Sequence, residues 1–360
     1  MHDFTPTFQF SNRQSSLSIL DRRFMVESLA HCVGSLRGKT ILLTGGTGFF
    51  GKWLLESYIA LKDQFDFSGE LVILSRHPEQ FLLNNPFYRE FEYLTIVQGD
   101  VRDALIPCSH FDYIIHAATE ASATLERDNP DEMYSVIVEG TQNILDIALR
   151  TRASRFLLTS SGAVYGPQPS DVERLPESFP LNPVTAYGKG KKRAEELVLN
   201  LAEKSGITGK IARCFAFVGP FLNLDIHFAI GNFIRNGLNH EPIVIRGDGT
   251  PYRSYLYAAE LVVWLWKILL GDSKSAIFNV GSPESVSIQE LAVRVNQTFQ
   301  HEDNLPAPLE VQVLQTHREG VPVQRYVPDV SRIDRELELR PQISLEEGVR
   351  RTLQFHRTKR

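Results

Sequence analysis

The sequence predicts an α/β fold: a doubly wound parallel sheet joined to a smaller C-terminal lobe. Two observations carry that expectation. The first is the stretch Thr44-Gly45-Gly46-Thr47-Gly48-Phe49-Phe50-Gly51. It follows a short apolar run, Thr40-Ile41-Leu42-Leu43, and precedes a segment where Trp53, Leu54, Tyr58 and Leu61 recur at helical spacing. A glycine-rich turn between a buried strand and a helix is a site for a dinucleotide phosphate. The second observation is that strand and helix signals keep alternating as far as Phe215, which is the pattern of parallel β-α-β units.

The elements follow in order. Residues 1–36 form an extension before the first strand. Residues 1–16 are polar, while Leu20, Phe24, Leu29 and Val33 mark a helix between Leu17 and Leu36. Such a helix could cover the sheet or a neighbouring subunit. In the turn, Gly45 can take a positive φ, Gly48 leaves room for a pyrophosphate against the backbone, and Gly51 lets the helix pack on the strand. The free N–H groups at the helix start then face the anion, aided by the helix dipole. Leu71 to Leu74, Leu94 to Val97 and Tyr113 to Ile115 read as strands two to four. Asn129-Pro130-Asp131-Glu132 opens a helix that should run to about Arg150: Asn as cap, Pro at the first position, Glu three residues after the cap. Phe156 to Thr159 and Lys210 to Phe215 are strands five and six. Residues 37–222, joined again by about 254–282, are expected to form the dinucleotide-binding core. Residues 223–253 and 283–360 are expected to form the lobe over the carboxyl edge of the sheet, and Ser344 to Val349 reads as the start of a capped helix.

Composition narrows the function. The chain has 360 residues, 42% of them hydrophobic, and a net charge of -5. With a pI near 6.1, nothing suggests a nucleic-acid or anionic-membrane surface. Cys32, Cys108 and Cys214 are scattered, which argues against structural zinc and fits a reducing compartment. The most apolar run, Leu261 to Leu270, is interrupted by Lys267 and is too short to span a bilayer, so it reads as a buried helix. No apolar core of the signal-peptide type appears near the N-terminus, and the expectation is a cytoplasmic protein without a metal.

Strand two ends Leu74-Ser75-Arg76-His77. An acid here would hold the ribose 2′-hydroxyl of NAD; none is present, and Arg76, next to Ser75, suits the 2′-phosphate of NADP. NADP is therefore favoured over NAD. Strand five ends Thr159-Ser160-Ser161-Gly162-Ala163-Val164-Tyr165-Gly166, and a helical segment then opens Ala186-Tyr187-Gly188-Lys189-Gly190-Lys191. Tyr187 and Lys191 are four apart and share one helix face. A free tyrosine is a poor base at neutral pH, but a neighbouring ammonium and a positive nicotinamide favour the phenolate. Tyr187 can then exchange a proton with a sugar oxygen while hydride moves, Ser161 can hydrogen-bond the same oxygen, and Lys191 can also hold the nicotinamide ribose. Gly188 and Gly190 are unusual inside a helix and could admit substrate closely.

The turn spacing Gly-x-x-Gly-x-x-Gly, Ser161 and the Tyr187/Lys191 pair together resemble the extended short-chain dehydrogenases/reductases, specifically the NAD(P)-dependent sugar-nucleotide epimerase/dehydratase family with its Rossmann-type sheet. The resemblance runs over about residues 38 to 355 and takes in Arg213 to Pro220, Gly247 to Tyr255 and Phe278 to Gly281. It implies that Asp100 holds the adenine and that Val101, Ala117, Ala118 and Thr159 line the cofactor, beside Thr47, Phe49 and Phe50. It also implies that Arg253 grips the nucleotide diphosphate, for which an Arg fork is well suited, with Ser161, Gly162 and Asn232 against the substrate. Members of the family commonly dimerise through helices matching 129–150 and 187–204.

Two departures bear on the reaction. The family's 4,6-dehydratases carry an Asp-Glu pair, and its sugar-acid decarboxylases a Glu, directly after the residue that Ser161 matches; here stand Gly162 and Ala163. Ala216 replaces an Asn that touches the diphosphate in many members. Glu120 is the nearest spare carboxylate, as a second acid or base or as a sugar ligand. The expected function is hydride transfer at a sugar carbon, with C4 favoured, of a nucleoside-diphosphate sugar, as an epimerase or a 4-ketoreductase. The alternatives are a dehydratase that uses a carboxylate other than residues 162–163, a non-catalytic dinucleotide sensor, and an enzyme of steroid or flavonoid-type alcohols, against which Arg253 argues.

Overall fold

The computed structural model describes residues 15–119, 123–225 and 229–358. Strands β1 (Lys39–Thr44), β2 (Gly69–Ser75), β3 (Leu94–Gln98), β4 (Tyr113–His116), β5 (Arg155–Ser161) and β6 (Thr208–Cys214) form a sheet in the order β3-β2-β1-β4-β5-β6, with a seventh strand, Ile277–Val280, outside β6. Every neighbouring pair is parallel. The chain reverses its direction of winding between β1 and β4, so the crevice at the carboxyl ends of these strands is the place where such sheets bind ligands. The doubly wound sheet expected from the sequence is thus present.

The helices of the described residues are α1 (Ile19–Leu29), α2 (Phe49–Phe65), α3 (Pro78–Asn84), α4 (Ala123–Asp128), α5 (Pro130–Thr151), α6 (Ala186–Ser205), α7 (Ala229–Leu238), α8 (Ala258–Leu270), α9 (Ile288–Glu302), α10 (Ser331–Leu337) and α11 (Leu345–Arg357). Side chains alternate across the pleat and bury on both faces. Ile41, Leu43, Ile73, Ile115 and Leu157 join one apolar cluster with α1, α2 and α8. Leu42, Leu74, Ile114, Phe156 and Leu158 join another with α5 and α6. Helix α8 is buried almost throughout, as the run Leu261 to Leu270 suggested. Among the described residues no helix is long and apolar enough to cross a membrane.

The described part of the N-terminal extension, residues 15–36, packs against its own chain. Ser18 caps α1 by accepting from the Asp21 N–H. The buried Asp21 carboxylate accepts from the Tyr257 hydroxyl at 3.0 Å and from Arg351 at 2.7 Å. Arg22 reaches Asp63 on α2 at 3.0 Å. Beyond the sheet, Ile243–Ile245 pairs with Val311–Val313, and Tyr252–Arg253 is flanked by Val286–Ser287 and Arg325–Tyr326. Ser287 and Glu290 form a capping box on α9, and Ser344 caps α11 by accepting from the Glu347 N–H.

A buried ion pair ties the sheet to α6. Arg213 on β6 grips Glu195 on α6 through its Nε and Nη2, the latter at 2.7 Å, and both side chains are 3% exposed. Ser160 donates to the same carboxylate at 2.5 Å. The other Arg213 nitrogen donates to the Tyr165 hydroxyl at 3.0 Å, which in turn donates to Asn279 on the seventh strand at 2.8 Å. Removing one partner of such a pair strands a buried charge and costs about 3–5 kcal/mol, whereas replacing both with apolar groups of like volume costs far less. Glu195→Leu should therefore lower the denaturant midpoint strongly, and Glu195→Leu with Arg213→Met should recover much of the loss.

Candidate active site

The turn after β1 has the geometry its glycines implied. Gly45 adopts φ +71°, and a Cβ there would lie 2.7 Å from the backbone of Ala117 and Ala118. A Cβ on Gly51 would lie 2.1 Å from the Gly45 carbonyl, so no other residue lets α2 sit this close to the turn. Gly48 is the N-cap of α2 and offers no side-chain cap bond. The first N–H groups of this 17-residue helix are therefore left for an incoming acceptor. Thr47, Phe49 and Phe50 are half-buried around them, with Phe50 edge-on to Phe217 at 5.1 Å. Helix α6 shows the opposite arrangement. Glu126 of α4 accepts from the N–H groups of Ala186 at 2.7 Å and Tyr187 at 2.9 Å, and Thr185 accepts from that of Gly188 at 3.0 Å. The uncapped N-terminus at the switch point fits a dinucleotide pyrophosphate; the capped one does not.

Ser75 is buried at the end of β2, and its hydroxyl accepts from the His77 N–H at 3.3 Å. Arg76 is exposed beside it, close enough to Asp100 to help hold that carboxyl below its usual range. The main cause of that lowering is Arg102, which donates to Asp100 at 3.0 Å and also reaches Glu132 at 2.8 Å. The Asp100 side chain is thus already engaged within the protein. Val101 is buried against Gly140 of α5.

Behind Ala117 and Ala118 runs a chain of hydrogen bonds with a definite direction. Thr141 spends its one proton on the Ile137 carbonyl at 2.7 Å, so it accepts from His116 Nε2–H at 3.2 Å. Nδ1 of the neutral ring then accepts from the Thr44 hydroxyl at 2.7 Å, whose oxygen also takes the Ala118 N–H at 3.2 Å. Burial pushes His116 down to about 3, so it stays neutral in this tautomer and holds the cofactor-side turn in place.

Ser161, Tyr187 and Lys191 come together at the end of β5. Lys191 is buried and donates to Thr119 at 2.6 Å and to the Thr159 carbonyl at 2.8 Å, with its nitrogen 5.8 Å from the Tyr187 ring centroid. An ammonium has three donors, so one remains for a ribose hydroxyl. Burial pushes Lys191 down to about 8. It also pushes Tyr187 up to about 12, with the Ser161 hydroxyl pulling the other way and Cys214 adding to the rise. Desolvation therefore outweighs the influence of the Ser161 hydroxyl at Tyr187. The helix glycines face protein: a Cβ on Gly188 would meet the Ala163 carbonyl at 2.7 Å, and one on Gly190 would meet Ile137 of α5 at 3.2 Å. They seat α6 rather than admit substrate.

Gly162 is also enclosed. A Cβ there would lie 2.6 Å from the Tyr326 hydroxyl and 2.8 Å from the Phe215 ring. Arg253 lies in the three-stranded sheet, in register with Tyr326, and donates to the Tyr252 carbonyl at 2.8 Å. Asn232 is half-buried on α7, and no bond among the described residues links its side chain to Ser161 or Tyr187. Glu120 lies outside the described residues. Tyr326, Phe215, Cys214 and Thr119 were not foreseen as site residues. Tyr326 carries no local motif, and Phe215, though inside the Arg213 to Pro220 stretch, is far from it in the chain, so only the fold brings the two to Gly162.

This geometry predicts a graded response. Tyr187→Phe removes the proton carrier and should slow turnover by roughly 10² to 10⁴ while leaving the fold and nucleotide binding nearly intact. Lys191→Met should slow turnover and also weaken cofactor binding, because it removes the donor available to the ribose. Ser161→Ala should cost less than either. Turnover and dinucleotide affinity of the three variants check the ranking.

The chain is similar to known proteins over most of its length. The family model "NAD dependent epimerase/dehydratase family" matches residues 41–281. UDP-glucuronic acid decarboxylase 1 of Arabidopsis thaliana is 30% identical over 322 residues, covering 89% of this chain and 70% of that protein. UDP-glucuronic acid decarboxylase 3 of the same plant is 30% identical over 314 residues, 86% of each. Among solved structures, the UDP-N-acetylglucosamine 4-epimerase of Methanobrevibacter ruminantium M1, in complex with UDP-N-acetylmuramic acid, superposes with a TM-score of 0.76 at 24% identity over 90% of this chain and all of that one (100%). The dTDP-glucose 4,6-dehydratase DesIV of Streptomyces venezuelae, with NAD and TYD bound, superposes with a TM-score of 0.75 at 25% identity over 89% of this chain and 98% of that one. On sequence and fold together, the chain belongs to the NAD dependent epimerase/dehydratase family.

Proposed function

We propose that the protein transfers hydride at a ring carbon, C4, of a nucleoside-diphosphate sugar, acting as an epimerase or a 4-ketoreductase. The observation that carries this reading is the convergence of Ser161, Tyr187 and Lys191 beside a residue 162 that has no room for an acid. Tyr187 exchanges the proton of the sugar oxygen, Ser161 holds that oxygen, and Lys191 holds the nicotinamide ribose. The nicotinamide, when bound, supplies or accepts the hydride. The open end of α2 would hold the pyrophosphate of the dinucleotide, and Arg253 would grip the sugar's diphosphate. The relatives and neighbours are named for reactions of UDP- or dTDP-sugars, which supports a nucleotide sugar as substrate.

Arg76 supports NADP over NAD. The outer faces of α5 and α6 carry the exposed Tyr134, Leu149 and Leu199, which supports a homodimer formed there. The three free cysteines support a reducing, cytoplasmic setting. The core (residues 37–222 with 254–282) would then hold the dinucleotide, and the segments 223–253 and 283–360 the sugar.

Two measurements test the reading. Incubation with UDP-glucose, dTDP-glucose, UDP-glucuronate and a 4-keto nucleotide sugar should yield an inverted alcohol or, with reduced cofactor, a reduced ketone. A robust 4-keto-6-deoxy product, or carbon dioxide from UDP-glucuronate, would replace it with a neighbour's reaction. Titration of both dinucleotides should show tighter NADP binding, which Arg76→Ala weakens more than NAD binding; equal losses would remove the NADP preference.

A further inference from the structure

The phenol of Tyr187 hangs from the most easily frayed part of its helix. Tyr187 is the second residue of α6, and the first bond inside that helix runs from the Lys189 N–H to the Thr185 carbonyl at 2.9 Å. The N–H groups of Ala186, Tyr187 and Gly188 therefore need acceptors from elsewhere. The Thr185 side chain supplies one, for Gly188 at 3.0 Å. The other two N–H groups go to a residue distant in the chain. Glu126 Oε1 accepts from Ala186 at 2.7 Å, and Glu126 Oε2 accepts from Tyr187 at 2.9 Å. Both oxygens of one carboxylate are thus spent on the turn that carries the phenol.

The connection that brings Glu126 there also holds the other half of the catalytic pair. Thr119, just past β4, gives its proton to the Ala118 carbonyl at 2.7 Å, so its oxygen accepts from Lys191 Nζ at 2.6 Å. Past α4, the Asn129 N–H donates to the Leu125 carbonyl at 2.8 Å, and the Asn129 side chain caps α5. Leu125 packs on the apolar cluster that α5 and α6 share. Glu126 is therefore carried by a short helix fixed at its C-terminal end, and its reach to α6 is set by packing.

We infer that Glu126 is a positioning residue for the proton-transfer step, acting through the backbone of Tyr187. A carboxylate that takes two N–H groups at the positive end of a helix forms a charge-assisted cap. Without it the first turn of α6 keeps one side-chain cap, on Gly188, and none on the peptide of Tyr187. The phenol then ranges more widely relative to Ser161 and Lys191. Lys191 lies one turn deeper and keeps its own contacts, to Thr119 and to the Thr159 carbonyl. Loss of Glu126 thus falls on proton transfer and spares the dinucleotide. The inference rests on Tyr187 as the acid–base group but needs no particular sugar.

The test compares variants of the full chain. Glu126→Ala removes both acceptors, and Glu126→Gln keeps one oxygen and most of the shape. Thr185→Ala removes the cap on Gly188 while leaving the Tyr187 N–H bonded, although the two caps are of similar worth to the helix. A reacting group misplaced by about 1 Å can cost about 10² in rate. Glu126→Ala should therefore lower kcat by roughly 10- to 10²-fold with KM and dinucleotide affinity unchanged. Glu126→Gln should lose less and Thr185→Ala least; Glu126→Gln carries the comparison should Glu126→Ala fail to fold. A readout independent of turnover is NMR of the chain labelled at the ring carbon of tyrosine that bears oxygen, with Tyr187→Phe assigning the signal. The Tyr187 line should broaden or split in Glu126→Ala and stay single in Thr185→Ala. Equal slowing by Thr185→Ala, or a fall in dinucleotide affinity that matches the fall in kcat, reduces Glu126 to a helix cap and overturns the inference. An unchanged Tyr187 line in Glu126→Ala overturns it as well. Absence of turnover on every nucleotide sugar in the wild type would sink the proposed function while leaving the NMR comparison to decide the role of Glu126.

Discussion

The guanidinium of Arg213 and the carboxylate of Glu195 meet under the floor of the candidate site, and most of its geometry descends from that contact. Both charges are removed from water, so each needs the other, and the pair tolerates little displacement. Glu195 sits one helical turn after Lys191 and so sets the rotation of α6, which decides where Lys191 and Tyr187 point. The same carboxylate accepts from Ser160, the residue before Ser161. Arg213 in turn carries the constraint through Tyr165 to Asn279, so three adjacent strands and one helix share a single polar network. A network of this kind is stable only when every member is satisfied.

The two helix starts around the crevice divide the work. That of α2 is built from glycine and left open, so it suits a charged visitor. That of α6 is closed by Glu126 and Thr185, so its dipole cannot draw the same anion away. Between them, the neutral His116 transmits position but no charge.

Much of this was legible in the chain because it is local. A glycine turn, a strand end and a tyrosine four residues before a lysine each announce themselves within a short window. The helix start at Asn129 was legible for the same reason, and its side chain does cap α5. What escaped was long-range. Tyr326 reaches Gly162 only after the three-stranded sheet has formed, and no periodicity links the two. Gly188 and Gly190 were readable as unusual but not as packing residues, since Ala163 and Ile137 approach them only in the folded chain. Burial was the other hidden quantity. It bears on Tyr187, because a sequence shows a neighbouring charge but not the desolvation that raises the phenol.

The crowding at Gly162 has a consequence for how such a protein can change. A carboxylate at this position would collide with both the Tyr326 hydroxyl and the Phe215 ring, so a single substitution there damages the pocket before it offers new chemistry. Shrinking Tyr326 first would open a void beside Ser161 with nothing to fill it. Each one-step route passes through a poorer protein, and only paired changes at residues distant in the chain lead elsewhere. Positions 162 and 326 should therefore vary together across descendants of this chain, so that the residue at one end of the pair reports the reaction run at the other.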